Sequence, residues 1–214
     1  MATTVVIDYG MGNLRSVSKA LEHVSEGSRI EITSDPGRVR QADRVVLPGV
    51  GALRDCMTEL ARLELIPAIR DVLRTRPFLG ICLGMQALLD FSDENDGTPG
   101  LGVIAGAVKR FGDATNAAGA RLKVPHMGWS PVDQVGTHPL WKDIATGSRF
   151  YFVHSYYVVP DDTRDVAATT GYGETFASAL ARDNIFAVQF HPEKSQQAGL
   201  TLLANFLRWN GSCR

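Results

Sequence analysis

The sequence predicts an α/β fold: an open, mostly parallel sheet with helices on both faces and an antiparallel portion in its second half. Three observations carry that prediction. Short, wholly apolar, β-branched runs alternate with stretches of helical spacing through residues 3–91, which is the pattern of strands buried on both faces. From 102 to 160 the chain turns richer in Gly, Pro and aromatics, and its strand-like runs follow one another with no helix between. With 214 residues and 44% hydrophobic composition, one α/β layer can bury a full core without disulfides or metal.

Taken in order, "TTVVID" (3–8) is a strand that ends in the Gly-rich turn "YGMGN". Leu14, Val17, Leu21 and Val24 recur at helical spacing over 13–24. "RIEITS" (29–34) alternates as a strand, and "DRVVLPG" (43–49) is a buried strand stopped by Pro and Gly. Residues 52–74 form one or two helices, with the break expected at Pro67. "PFLGI" (77–81) is a further strand and "LGMQALLDF" (83–91) a helix. The runs 102–111, 126–132, 149–159, 166–172, 175–181 and 185–190 make the antiparallel meander, and 195–209 closes the chain as an amphipathic helix with Ser195 as N-cap. Residues 92–100 and 112–120 are expected to be surface loops. Neither repeat, low-complexity tract nor linker interrupts the chain, so a single domain over 1–214 is expected.

Charge and cysteine usage exclude several classes. Lys and Arg number 22 against 23 Asp and Glu, a net charge of -1, which gives no footprint for nucleic acid and no polybasic membrane patch. Cys56, Cys82 and Cys213 are odd in number and irregularly spaced, neither a disulfide framework nor a CxxC pair, and a reducing cytoplasm suits them. "MATTVVIDYG" lacks the basic start and apolar length of a signal peptide, and no run approaches the roughly 20 apolar residues of a membrane helix.

Gly80-Ile81-Cys82-Leu83-Gly84 has the pattern of a nucleophile elbow with Cys in place of Ser. A sharp strand-to-helix turn needs small neighbours two positions away, and it lifts the side chain above the carboxyl edge of the sheet, where open α/β folds bind ligands. The amides and dipole of a following helix would favour thiolate, the reactive form. Alone, the stretch reads equally well as a buried structural Cys beside two packing glycines. A nucleophilic Cys needs a base, and among His23, His126, His138, His154 and His191 only His191 ends an apolar strand with a carboxylate, Glu193, two residues on. Residues two apart in extended chain point the same way, and Pro192 keeps the chain extended, so Glu193 would fix the tautomer of the imidazole.

"LPGVG" (47–51) is a second Gly-rich strand end; amides around Gly49, Val50 and Gly51, with that of Leu83, form the expected oxyanion hole. "PGVG" falls short of a P-loop, and "GMGN" (10–13) falls short of GxGxxG because residue 15 is arginine. No second His or Cys stands at metal-ligand spacing, so neither metal nor cofactor is expected.

"LPGVG", "GICLGMQ" and "FHPEKS" together, in this order, resemble the class I (triad-type) glutamine amidotransferases. The resemblance implies an open α/β sheet with an antiparallel portion, Cys82, His191 and Glu193 as catalytic triad, and glutamine as substrate. It implies that Gln86 and backbone groups of Gly51 and of His154, Ser155 and Tyr156 hold the glutamine. "IDYGMGNLRSVSKAL" (7–21), "PHMGWS" (125–130) and "YFVHSYY" (151–157) extend the resemblance over nearly the whole chain and narrow it. They are similar to the branch that passes ammonia to a (β/α)8-barrel cyclase subunit in histidine biosynthesis. Tyr151, His126, Met127, Gly128, Trp129 and Ser130 are the candidates for the partner interface and ammonia gate. Ser130 stands where the family usually carries Asn. The rival readings are the glutaminase of another ammonia-using synthase, a free cysteine hydrolase, and a binding module with a vestigial elbow.

Overall fold

The computed structural model describes residues 2–112 and 122–212. The expected loop at 112–120 lies outside them apart from Gly112, and so does Cys213. Strand β1 (Thr3–Ile7) pairs in parallel with β2 (Arg29–Thr33) and β3 (Arg44–Gly49), and β3 pairs in parallel with β4 (Phe78–Cys82). Side chains alternate across this sheet. Val5, Ile7, Val45 and Leu47 face one hydrophobic core, while Val6, Val46, Leu79 and Ile81 face the other.

Helices cover both faces. Helix α1 (Leu14–Val24) buries Val17 and Leu21 in the second core with α6 (Gln196–Arg208), whose Leu202, Leu203 and Phe206 meet them there. Three helices cover the first core. Helix α2 (Pro36–Gln41), unexpected from the sequence, is the crossover that parallel β2 and β3 require. Its start is nevertheless written in "DPG": Asp35 Oδ1 accepts from Gly37 N at 2.7 Å and Pro36 fills the first turn. The 52–74 region is two helices, α3 (Leu53–Arg62) and α4 (Leu65–Val72), but the break is not at Pro67. It falls at Glu64, which adopts φ 55°, and Pro67 sits in the first turn of α4, where its missing N–H removes no helical bond.

The expected helix over 83–91 is only α5 (Leu83–Gln86), followed by strand β5 (Leu89–Ser92). The carbonyls of Ala87, Leu88 and Leu89 accept from the amides of Leu101, Val103, Ile104 and Gly102, so long-range pairing displaces the next helical turn. Residues 92–100 hold a 3-10 turn (Glu94–Asp96) and the short strand β6 (Thr98–Pro99).

The second half supplies β7 (Ile104–Arg110), β8 (His126–Gln134), β9 (Ser148–His154), β10 (Tyr156–Pro160), β11 (Val166–Tyr172), β12 (Glu174–Arg182) and β13 (Ile185–Val188). The sheet order is β2-β1-β3-β4-β13-β12-β10-β7-β5-β6, with β11 joining β12 to β8 and β8 pairing with β9. Two features differ from the expected meander. The single run 149–159 breaks at Ser155, so β9 pairs with β8 while β10 enters the main sheet between β7 and β12. Strand β13 inserts parallel to β4, with Val188 opposite Ile81. That register brings the chain after β13 to the same sheet edge as the chain after β4.

Candidate active site

The junction of β4 and α5 places Cys82 at φ 54° and ψ −108°, a conformation L-residues avoid and tight surroundings must impose. Those surroundings explain the glycines. A Cβ on Gly80 would stand 2.8 Å from Gly84 O, and one on Gly84 would overlap the carbonyl oxygen of Leu47 on β3. The elbow is therefore pressed against the neighbouring strand, and Cys82 is left 7% exposed at its tip. Because α5 has one turn only, the expected macrodipole is largely missing; what the turn offers the sulfur is its first amides.

Beyond β13, His191 Nδ1 bonds Glu193 Oε1 at 2.8 Å, with both side chains nearly fully buried (3% and 1% exposed). Burial works against charge on His191, but the Cys82 sulfur and the Glu193 carboxylate outweigh it and raise its pKa to about 10. His191 Nε2 is buried and closes no hydrogen bond among the described residues, so the ring is aligned by Glu193 and leaves its second nitrogen available to Cys82. Such bonds commonly close only when substrate is bound. Ser195 stands at the N-cap position of α6 as the sequence predicts, but its side chain makes no capping bond. Its hydroxyl donates to His191 O at 2.6 Å and accepts from Tyr151 N at 3.0 Å, while His191 N donates to Tyr151 O at 2.9 Å. The hydroxyl is thus taken up in tying the His191 loop to β9.

Cys82 and His191 open into one cleft of about 370 Å³, lined also by Val50, Gly51, Leu83, Gln86, Glu94, Pro125, Val153, His154, Ser155 and Tyr156. Every expected oxyanion and substrate residue except Gly49 is on that wall. Gly49 lies behind it, opposite Cys82 in the β3–β4 ladder, where a side chain would collide with the Tyr9 hydroxyl and Leu83. Gln86 is buried, and its Nε2 donates to Tyr156 O at 3.1 Å and to Gln189 Oε1 at 3.0 Å. Tyr156 O also accepts from His154 Nδ1 at 2.7 Å, so that carbonyl has no lone pair left for a ligand.

Four residues at the site are not among the expected ones: Pro125 and Val153 on the cleft wall, and two polar side chains. Gln189 Nε2 lies 3.6 Å from Cys82 Sγ; a lone Gln inside the apolar run "IFAVQF" was the available signal, since a buried amide needs partners. Glu94, within the supposed surface loop, accepts from Leu53 N at 2.7 Å and so caps α3 from a distance.

The partner-interface candidates divide. Met127 (61% exposed) and Trp129 (39%) point outward from β8, and Trp129 meets the Tyr151 ring edge-on with centroids 6.0 Å apart. Gly128 and Ser130 are half-buried. His126 is buried instead, stacked between Phe152 and Tyr172, and cannot itself touch a partner; β-strand alternation turns it inward from Met127. Cys56 is fully buried and its thiol is pushed up to about 12 by that burial, which makes it inert core. Among the described residues no three His, Cys, Asp or Glu gather as a metal site, and no helix is long and apolar enough to cross a membrane.

The family "Glutamine amidotransferase class-I" matches residues 5–209. Imidazole glycerol phosphate synthase subunit HisH of Nitrosococcus oceani is 64% identical over 211 residues, 99% of each chain. The subunit HisH 1 of Pseudomonas aeruginosa is 56% identical over 211 residues, again 99% of each chain. Among solved structures, PurLQS from Thermotoga maritima superposes with a TM-score of 0.72 at 19% identity, covering 97% of this chain and 98% of that one, a likeness of fold alone.

Proposed function

The chain belongs to the class-I glutamine amidotransferases, and from that premise we propose that it is the glutaminase subunit of an imidazole glycerol phosphate synthase, serving histidine biosynthesis. It hydrolyses glutamine and passes the ammonia to a cyclase. The observation that carries the reading is the meeting of Cys82 with the His191–Glu193 pair at one sheet edge, in a chain so close to subunits of that name.

The Cys82 thiolate attacks the side-chain amide carbon of glutamine, and the C=O π electrons move onto oxygen. Backbone amides near Val50, Gly51 and Leu83 receive that oxyanion; removing one such donor typically costs ~10²–10³ in rate. As the C–N bond breaks, the His191 imidazolium gives its proton to the leaving nitrogen, which departs as ammonia. A glutamyl thioester remains on Cys82. His191 then takes a proton from water, the hydroxide displaces the sulfur, and glutamate leaves with the thiolate restored. Glu193 holds the ring and balances its charge throughout.

Ammonia released into bulk water would be protonated and lose its nucleophilicity, so the cleft must open onto a receiving subunit. The partner is a (β/α)8-barrel cyclase, and exposed Met127 and Trp129 on β8 offer the apolar part of the contact. The combined reaction yields imidazole glycerol phosphate and aminoimidazole carboxamide ribotide. A free thiol nucleophile fits a reducing cytoplasm.

In the complex with the cyclase, Cys82→Ala is expected to abolish glutamine-dependent synthesis and to leave synthesis fed with ammonium salts intact. Glutamine hydrolysis surviving that change would overturn the reading. A chain that forms no complex with the cyclase, yet hydrolyses glutamine for another synthase, would favour the nearest rival.

A further inference from the structure

An unbroken chain of hydrogen bonds runs from the half-exposed strand β8 to the nucleophile. Ser130 Oγ lies 2.8 Å from His126 Nε2, His126 Nδ1 lies 2.9 Å from His154 Nε2, and His154 Nδ1 lies 2.7 Å from Tyr156 O. On the other side of that carbonyl, Gln86 Nε2 stands at 3.1 Å and also reaches Gln189 Oε1 at 3.0 Å, and Gln189 Nε2 ends the chain 3.6 Å from Cys82 Sγ.

One acceptor sets every proton. A carbonyl oxygen only accepts, so His154 must carry its proton on Nδ1 and Gln86 must present its NH2 group. His154, neutral, then accepts at Nε2, which makes His126 the donor at Nδ1 and leaves His126 Nε2 to accept from the Ser130 hydroxyl. Gln86 as donor makes Gln189 accept at Oε1, and this turns the Gln189 NH2 toward the sulfur. Both rings suit the neutral form, because burial lowers His126 to about 4 and His154 to about 3. The rings are also fixed in place: His126 stacks on Phe152 and Tyr172 with centroids 4.8 and 4.0 Å away.

We propose that Gln189 is a positioning residue that holds the Cys82 sulfur by donating to it, and that its orientation is set by the Tyr156 carbonyl through Gln86, the same carbonyl that sets the protons of His154 and His126. Two donors converge on that oxygen, so the direction of the bond at the sulfur depends on Gln86 and not on Ser130 at the far end of the histidine arm. This proposal rests on the glutaminase reading for its purpose, but not for its test.

The test is alkylation of Cys82 by iodoacetamide at pH 7 in the full chain, followed by mass spectrometry of the Cys82 peptide. Gln189→Met is expected to slow alkylation about tenfold, as the hydrogen-bond donor to the sulfur is lost, and Gln86→Met about threefold, as the Gln189 amide is freed to turn. The double variant Gln86→Met with Gln189→Met should be no slower than Gln189→Met alone, since both cut one chain. In 15N spectra both rings should be protonated at Nδ1 only. Alkylation of Gln189→Met at the wild-type rate, or either ring protonated at Nε2 alone, would overturn the proposal. The 15N measurement decides even where neither variant folds, because it is made on the wild-type chain. Unchanged alkylation with normal glutamine hydrolysis in the complex removes the relay and leaves the glutaminase; absent hydrolysis in the wild-type complex removes the glutaminase and leaves the alkylation comparison standing.

Discussion

The proposed nucleophile and its proposed base are held at the same sheet edge by opposite means. Cys82 comes from the parallel half, where packing forces one residue into a backbone conformation that costs on the order of 1–3 kcal/mol. His191 comes from the second half, has an ordinary φ of −102°, and is held by hydrogen bonds to its ring, its amide and its carbonyl. The difference teaches what each half tolerates. Adding one carbon should ruin the first region, and removing oxygen or adding protons should loosen the second.

The sharpest break is Gly84→Ala. The new methyl would overlap the Leu47 carbonyl, a backbone atom in a central strand that has nowhere to go. The expected loss is at least about 3 kcal/mol of unfolding free energy, at the upper end of overpacking effects, with glutamine hydrolysis lost alongside. Gly171→Ala is the control: it stands in open space on β11 and should shift stability by less than about 0.5 kcal/mol. Urea titrations of the two variants decide the matter, and a wild-type midpoint for Gly84→Ala would mean that packing does not impose the elbow.

Acid probes the other region. His126, His138 and His154 all lie in the second half, and burial lowers them to about 4, about 4 and about 3. Unfolded, each takes up a proton near pH 6.5; folded, none does until near pH 4. The unfolded state therefore binds more protons across that window, so stability is full above about pH 6.5 and declines as pH falls toward 4. His191, raised to about 10, has the opposite sign: its contribution is present below pH 6.5 and fades as pH rises through about 10. The urea midpoint should fall steadily from pH 6.5 to 4, and hydrogen exchange should show 126–172 losing protection before 3–82. A midpoint flat over that range would show these imidazoles are not buried neutral.

The two halves also differ in how legible they are. Strands β1, β3 and β4 can be read because Gly or Pro bounds each apolar run, and the proposed triad because Cys82 ends β4 while His191 and Glu193 follow the apolar run of β13. The 83–91 run is apolar at both helical and strand periods, and only the amides of 101–104 decide between them, from too far along the chain to be visible locally. The insertion of β13 beside β4 is equally non-local, yet it is what carries His191 to Cys82. Gln189 and the inward turn of His126 depend on partners that only the fold assembles. The polar contacts are thus the least legible layer of this site, whereas the proposed reacting groups stand out.

Ser195→Ala is the mildest way to test the hydrogen-bonded region. The change removes one hydroxyl that serves two backbone groups, His191 O and Tyr151 N, and leaves both short of a partner in a buried place. The bond from His191 N to Tyr151 O survives, so the loop should loosen rather than detach. The expected loss is about 1–2 kcal/mol in unfolding free energy, the usual range for unsatisfied buried backbone groups. In the complex, kcat for glutamine hydrolysis should drop several-fold with little change in KM, because the imidazole and not the cleft wall is what moves. A raised KM at unchanged kcat would place Ser195 in the service of the cleft, and the contrast between a packed nucleophile and a tethered base would lose its second member.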